Sequence, residues 1–400
     1  MIKILTFTTL YPDSIRPRHG IFVEKRVCEL SKNADVSIRV VAPCPWFPFS
    51  GAGFGRYAQF ARVPKSEIRS GIRVEHPRYA LLPKLGMTLA PLSLYRASRG
   101  TLRRMISEGF EFDLIDAHYF YPDGVAAVML GQYFRRPVTI TARGSDVNVL
   151  PHYPLPRRMI RWAADRAAGL VTVSAALRQR LIELGVEPGR VTVLRNGVDV
   201  EMFRPGARDP CRREVGANGL TLLAVGNLVP LKGHDLVIEA LCHLPQARLM
   251  IVGEGPQKTA LQELAVRQGV ADRVTFVGNV PQKRLPTFYT AADILVLASR
   301  HEGWPNVLLE AMACGTPVVV SDIPGMTEIV ASSHVGRLAS ERSAKGFAQS
   351  IMEMAHESPK REQVRQYART FDWASITEGQ LKLFRSILES SGAASADGGS

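Results

Sequence analysis

The stretch Ile294-Leu-Val-Leu-Ala-Ser-Arg-His-Glu-Gly-Trp-Pro-Asn-Val-Leu-Leu-Glu-Ala-Met-Ala-Cys-Gly-Thr-Pro-Val-Val-Val-Ser321 decides how the rest of the chain is read. Ile294–Leu297 is a short, wholly apolar run, as expected of a strand buried on both faces. Pro305 suits the first turn of a helix, where its missing N–H costs nothing. Gly315 suits the position just past a helix end. A short helix from Pro305 to Cys314 is therefore expected, followed by a second strand at Pro317–Ser321. Glu302 falls in the loop before the helix and Glu310 inside it. The free backbone N–H groups at such a helix start form an anion site suited to a pyrophosphate.

The same alternation runs outward in both directions. Upstream, strands are expected at Ile2–Thr8, Val36–Ala42, Ile72–His76, Leu114–Ala117, Val138–Thr141, Leu170–Ser174 and Val191–Arg195, with helices such as Gly20–Lys32 and Ala175–Leu184 between them. Nearer the stretch, strands are expected at Leu220–Val225, Arg248–Val252 and Val274–Val277, with helices at Asp235–Leu241 and Gln257–Gln268. Two such series predict two doubly wound, Rossmann-like α/β domains. The expected boundaries are 1–195 and 218–372, an interdomain linker at 196–217, a terminal helix at 373–389 and a disordered tail at 390–400. Ligands of open parallel sheets sit beyond the carboxyl ends of the strands, so two such domains face to face predict a site in the cleft between them.

Composition limits the alternatives. The chain has 400 residues, 46% hydrophobic and 22% charged, which is ordinary globular composition. No apolar run of the length a transmembrane helix needs is present; Tyr79–Tyr95 comes nearest and is broken by Pro83, Lys84 and Pro91. The N-terminus reads as a buried strand, not a signal peptide. The five cysteines are scattered with no CxxC pair, which argues against a disulfide framework or structural zinc and fits a reducing cytoplasm. Net charge is +13, and residues 1–200 hold 29 Lys/Arg against 16 Asp/Glu while the second half holds 21 of each. An excess confined to one half predicts an anionic partner there.

The spacing Glu302-x7-Glu310 within EGWPNVLLEAMACGTPVVVS resembles the donor-site motif of glycosyltransferase family 4, retaining enzymes of the GT-B fold. LLAVGNLVPLKGHDLVIEAL, LMIVGEGPQKTALQELA, VTFVGNVPQKRLPTFYTAADILVLAS, VLRNGVDVEMFRP, DAHYFYPDGVAA and TARGSDVNVLP are similar to further segments of that family. The resemblance extends over about residues 1–390, and TARGSDVN looks most like bacterial members that build teichuronic acid or exopolysaccharide. It implies that Lys232 holds the distal donor phosphate, that Glu310 binds the donor ribose, and that Glu302 touches the transferred sugar beside the Gly303, Trp304, Pro305 and Asn306 backbone. Asn279 and Val280 would flank the base. His118 matches the active-site histidine, and Gly20 would let the first helix approach phosphates and acceptor without a side chain. Asp146 is expected on the acceptor side.

Two positions depart from the pattern. Many members carry Arg where this chain has Asn227, so one phosphate cation is missing from its usual place; Arg195 and Arg300 are candidates to compensate, and the sequence does not choose between them. Many carry His where Arg143 stands, and a guanidinium is a poor base but a good anion ligand, which makes Arg143 a candidate for acceptor binding. The expected reaction is transfer from a nucleoside-diphosphate sugar to a lipid-linked or polysaccharide acceptor. The leaving phosphate, stabilised by Lys232 and the helix start, would help to deprotonate the acceptor. No D-x-D run is present, and metal-independent action without a resident cofactor is expected. Trp46, Phe47, Phe49, Phe54, Tyr57 and Phe60, with the apolar Tyr79–Arg99 stretch bordered by arginines, predict peripheral contact with an anionic membrane at its cytoplasmic face, with core packing as the competing reading. A sugar-nucleotide epimerase or hydrolase on the same frame is the alternative enzyme. A basic nucleic-acid-binding protein is the alternative from another class, and no signature of one is found.

Overall fold

The computed structural model describes residues 1–81 and 86–397. Part of the Tyr79–Arg99 stretch and the last three residues of the tail lie outside the described residues. The chain divides into two compact units, Met1–Arg195 with Ala374–Ser400, and Asn196–Trp373.

The first unit is built on an eight-stranded sheet. Its order is Val191–Val193, Gly169–Thr172, Val138–Ala142, Leu114–His118, Ile2–Phe7, Val36–Val41, Ile72–Glu75, Ser66–Arg69. All neighbours are parallel except the last pair. Every residue of Leu114–His118 and Val138–Ala142 is buried, because helices cover both faces. The direction of winding reverses at Ile2–Phe7, which lies between Val36–Val41 and Leu114–His118. Thr8, Thr9 and His118 therefore stand at a topological switch point.

The second unit has a six-stranded parallel sheet, ordered Val274–Gly278, Ala247–Val252, Leu220–Val225, Ile294–Leu297, Val318–Ser321, Gly336–Ala339. Here the reversal falls between Leu220–Val225 and Ile294–Leu297. The loops carrying Lys232 and Glu302 leave those two strands.

The structure corrects several expectations. Residues 196–217 group with the second unit and contain a helix, Arg208–Val215. This helix buries no side chain, which explains its lack of apolar period; Arg208 and Arg212 instead pair with Asp293. The terminal helix groups with the first unit, where Leu381 and Phe384 pack with Ile4, Leu30 and Leu114. It runs Trp373–Asp397, through most of the segment expected to be disordered. Ser390 and Ser391 each donate a hydroxyl to the carbonyl four residues back. Pro305 is not a first-turn residue: it is the extended residue (φ −79°, ψ 92°) before the helix Asn306–Ala313. Ser66–Arg69 and Gly336–Ala339 were not anticipated. Both are short edge strands, and Ser66–Arg69 is polar and half exposed, so neither shows an apolar run.

Candidate active site

The second unit brings two of the expected residues into direct contact. Lys232 Nζ lies 2.6 Å from Glu302 Oε1, and Ser299 donates its hydroxyl to the same oxygen at 2.7 Å. The glycine after Lys232 makes this possible. Gly233 has φ +66° and begins the helix His234–Ala240; a Cβ there would lie 2.1 Å from the Ala298 carbonyl oxygen. The lysine loop is thus pressed against the end of the Ile294–Leu297 strand, and Arg300 N–H donates to Leu231 O at 2.8 Å across the same seam. The lysine and glutamate side chains keep 22% and 12% of their surface exposed, so the pair is open to a competing anion.

Other donor-side residues divide into exposed and anchored ones. Asn227 is exposed, while its carbonyl accepts from Val229 N–H and faces His234 Nε2 at 3.3 Å. Burial pushes the His234 imidazole down to about 4, so it stays neutral. Asn279 is exposed and Val280 buried, just beyond the edge strand Val274–Gly278. Glu310 is nearly buried on the helix Asn306–Ala313, and its Oε2 accepts from the Tyr289 hydroxyl at 2.9 Å. Gly303, Trp304 and Pro305 are buried. Trp304 donates its indole N–H to Asn196 O at 3.0 Å and packs on Phe371, while Asn196 donates to Asn306 Oδ1 at 3.2 Å. The side chains of Trp304 and Asn306 are thus held by the start of the unit, while the contact with donor expected of this segment is through its backbone.

In the first unit the switch point is lined by buried polar groups. His118 has no exposed surface. Its Nδ1 accepts from Arg143 Nη2 at 2.8 Å, and its Nε2 lies 3.3 Å from Asp116 Oδ2. Burial pushes the imidazole down to about 4 against the pull of Asp116, so the ring is neutral at physiological pH. The Arg143 guanidinium also lies over the Phe22 ring, 5.4 Å from its centroid. Burial and then Arg26 lower it to about 9, so it remains a cation. Asp146 is fully buried and accepts from the N–H groups of Phe120, Arg143 and Gly144 at 2.7 to 3.1 Å. It shapes the Arg143 loop and presents no surface to an acceptor, which corrects its expected role. Gly20 has φ +69°, and a Cβ there would meet Leu10 O at 2.2 Å, so the neighbouring loop by itself already requires glycine at this helix start.

Two family descriptions match the chain: Glycosyltransferase Family 4 over residues 29–202 and Glycosyl transferases group 1 over residues 212–371. A protein of Bacillus subtilis (strain 168) named as a teichuronic acid biosynthesis glycosyltransferase, TuaC, is 31% identical over 367 residues, 89% of this chain and 90% of that protein. The chain belongs to the family 4 glycosyltransferases. A D-inositol 3-phosphate glycosyltransferase of Mycobacteroides abscessus is 30% identical over 86% of this chain and 80% of its own length. Among solved structures, sucrose-phosphate synthase of Thermosynechococcus elongatus matches with a TM-score of 0.79 at 19% identity, over 98% of this chain and all of that one. Anabaena Alr3699/HepE in complex with UDP matches with a TM-score of 0.72 at 21% identity, over 96% of this chain and all of that one. These likenesses establish the GT-B fold.

The structure of this glycosyltransferase adds residues that the motifs did not single out. Asp123 is fully buried and holds the loop after the first strand, accepting from Thr9 N–H at 2.6 Å and from the hydroxyls of Thr8 and Thr9. Burial raises its carboxyl to about 7. Arg342 donates to Ala298 O at 3.0 Å, on the carbonyl that Gly233 abuts, and brings a second cation near Arg300. Arg26 and Gln380 join Asp116 from helices at opposite ends of the sequence. Asp123 lies within the quoted segment DAHYFYPDGVAA, five residues after His118, but nothing in that segment marks it; Arg26, Gln380 and Arg342 carry no local signal.

Proposed function

We propose that this glycosyltransferase moves a sugar, with retention, from a nucleoside-diphosphate sugar to a lipid-linked or polysaccharide acceptor in cell-surface glycan synthesis. The carrying observation is the Lys232–Glu302 pair at the switch point of the second unit. A lysine held only by one partly exposed carboxylate can exchange it for a diphosphate. Glu302 is then freed toward the sugar, beside the ammonium that neutralises the leaving group. Glu310, oriented by the Tyr289 hydroxyl, is the ribose ligand. The Anabaena protein has also been solved in complex with UDP-glucose, which favours a uridine donor here. Leaving-group charge is met by Lys232 and by backbone N–H groups, and the reading needs no metal ion.

The acceptor reading rests on the first unit. Arg143 is the cation at its switch point, suited to a phosphate or carboxylate of the acceptor. Trp46, Phe49, Phe54 and Tyr57 are 46–59% exposed, and Phe49 stacks on Phe54 at 5.0 Å. A clustered apolar tip on the basic half fits peripheral docking at the cytoplasmic face of an anionic membrane. The longer helix Gly86–Ser107 contributes less, because Ala90, Leu94, Leu102 and Met105 are core residues. Among the described residues no helix is long and apolar enough to cross a membrane.

The test is thermal unfolding with UDP, GDP or ADP on the wild type, Lys232→Ala and Glu310→Ala, since a ligand of the native state raises the midpoint. One nucleotide should stabilise the wild type, with a smaller shift in both variants. Equal shifts in all three proteins would overturn the assigned donor site. Anomeric analysis of the transferred sugar then checks retention, and inversion would overturn the mechanism.

A further inference from the structure

A buried polar chain runs beneath the first unit's switch point. Arg143 Nη2 donates to His118 Nδ1, and His118 Nε2 faces Asp116 Oδ2. Asp116 accepts from the Thr139 hydroxyl at 2.9 Å and from Gln380 Nε2 at 3.0 Å. Gln380 Oε1 accepts from Arg26 Nε at 2.9 Å, and Arg26 Nη1 donates to Leu194 O at 3.1 Å. Arg26, Asp116, His118, Thr139 and Gln380 are each no more than 3% exposed.

The donor and acceptor inventory permits one arrangement. A guanidinium has only donors, so His118 Nδ1 must be the unprotonated nitrogen and Nε2 must carry the proton. Nε2 lies 3.3 Å from Asp116 Oδ2 as a charge contact and not as an aligned hydrogen bond. The Gln380 amide cannot be flipped either: its oxygen must face the donor-only Arg26 and its NH2 the acceptor-only carboxylate. The link between Arg26 and Gln380 spans 354 residues of sequence. Leu194 precedes the departure of the chain into the second unit, and Gln380 follows its return. Stability alone does not call for such a chain, since buried ionic groups are commonly replaced by apolar ones of the same volume at no cost.

We propose that Arg26 and Gln380 are positioning residues that act through Asp116 to hold His118 as its Nε2–H tautomer, so that Nδ1 anchors the Arg143 guanidinium. Its catalytic consequence rests on the acceptor reading of Arg143 above; the tautomer itself does not. The charged groups acting on His118 are Asp116, Arg143 and Arg26, and burial dominates all three. A neutral ring throughout pH 5.5–8 is therefore expected while the chain is intact.

The experiment is nitrogen NMR of the full-length protein labelled with 15N-histidine, the His118 signal being assigned by its loss in His118→Gln. The wild type should show the Nε2–H tautomer with no titration from pH 5.5 to 8. Gln380→Leu, which removes both bonds, should convert that signal to a tautomer mixture. Gln380→Glu keeps an acceptor for Arg26 but places a second carboxylate against Asp116; it should raise the His118 titration into the measured range. It also serves where the leucine variant fails to fold. Once a donor sugar is known, both should lower kcat about tenfold with the donor KM unchanged. An Nδ1–H tautomer in the wild type, or a wild-type His118 signal in the folded variants, would overturn the proposal. Neither result depends on turnover, so it is separable from failure of the transferase reading.

Discussion

The two units solve the same folding problem and then treat charge in opposite ways. Each places a left-handed glycine, Gly20 or Gly233, at the start of the helix that follows its first strand, hard against a backbone carbonyl. Each keeps a buried histidine, His118 or His234, pushed by burial to about 4. At the switch point of the second unit, however, Lys232 and Glu302 stay partly exposed and are held chiefly by each other. In the first unit the ionisable groups are buried and tied into a chain that reaches two helices and a loop carbonyl. Charge that must change partners when a substrate arrives has to remain near water. Charge that sets geometry can be buried where hydrogen bonds fix it, even though Arg26 Nη2 and His118 Nε2 have no such partner here.

The largest effect should come from breaking the open pair. Lys232→Ala should lower turnover of a nucleotide sugar by about 10²–10³-fold, the usual cost of removing one group that stabilises developing charge. Stability should fall by less than about 1 kcal/mol, because a half-open ion pair contributes little. Steady-state kinetics and denaturant unfolding of one preparation test both halves of the statement. A large loss of stability with turnover intact would mean that the second unit is as locked as the first.

Asp146→Asn probes the locked side. Its carboxylate accepts three backbone N–H groups, and the amide of asparagine would point a donor at one of them. A loss of about 1–3 kcal/mol is expected from an unmet buried donor. The rise in melting midpoint given by UDP should be unchanged, since that ligand belongs to the other unit. A variant that melts normally yet fails to use acceptor would return Asp146 to direct substrate contact.

The contrast also explains what could be read from the sequence. The second unit was legible almost strand by strand, because its apolar runs are continuous and its loop residues follow strands directly. Lys232, Glu302 and Glu310 sit in dense local motifs of glycine and proline, and the family resemblance of those motifs pointed to them. The first unit's network was not legible beyond His118 and Arg143. Arg26 and Gln380 look like ordinary helix residues, and only the fold brings them to Asp116. Asp146 was found but misread, since nothing in TARGSDVN distinguishes a carboxylate facing a ligand from one facing three backbone amides. The helix Arg208–Val215 was missed because it has no apolar face to detect.

The smallest effect is a difference in pH dependence. The folded state raises Asp123 to about 7 from an unfolded value of about 3.9. Its stabilisation is therefore full below about pH 4 and is lost as pH rises through 7. His118 has the reverse sign: held at about 4 against about 6.5 unfolded, it stabilises above pH 6.5 and loses that contribution as pH falls. Within the first unit these two slopes oppose each other between about pH 4 and 6.5. In the second unit His234 has the same slope as His118. Asp123→Asn keeps an acceptor for Thr9 N–H and removes one opposing titration, leaving that of Asp146, which burial also raises. Its melting midpoint should rise more steeply than the wild type's between pH 4.5 and 6.5, by at most about 1.4 kcal/mol of stability per pH unit. Parallel curves would mean that Asp123 is ionised in the folded protein and that Thr8 and Thr9 stabilise the charge, which would make its loop the first unit's counterpart of the open pair.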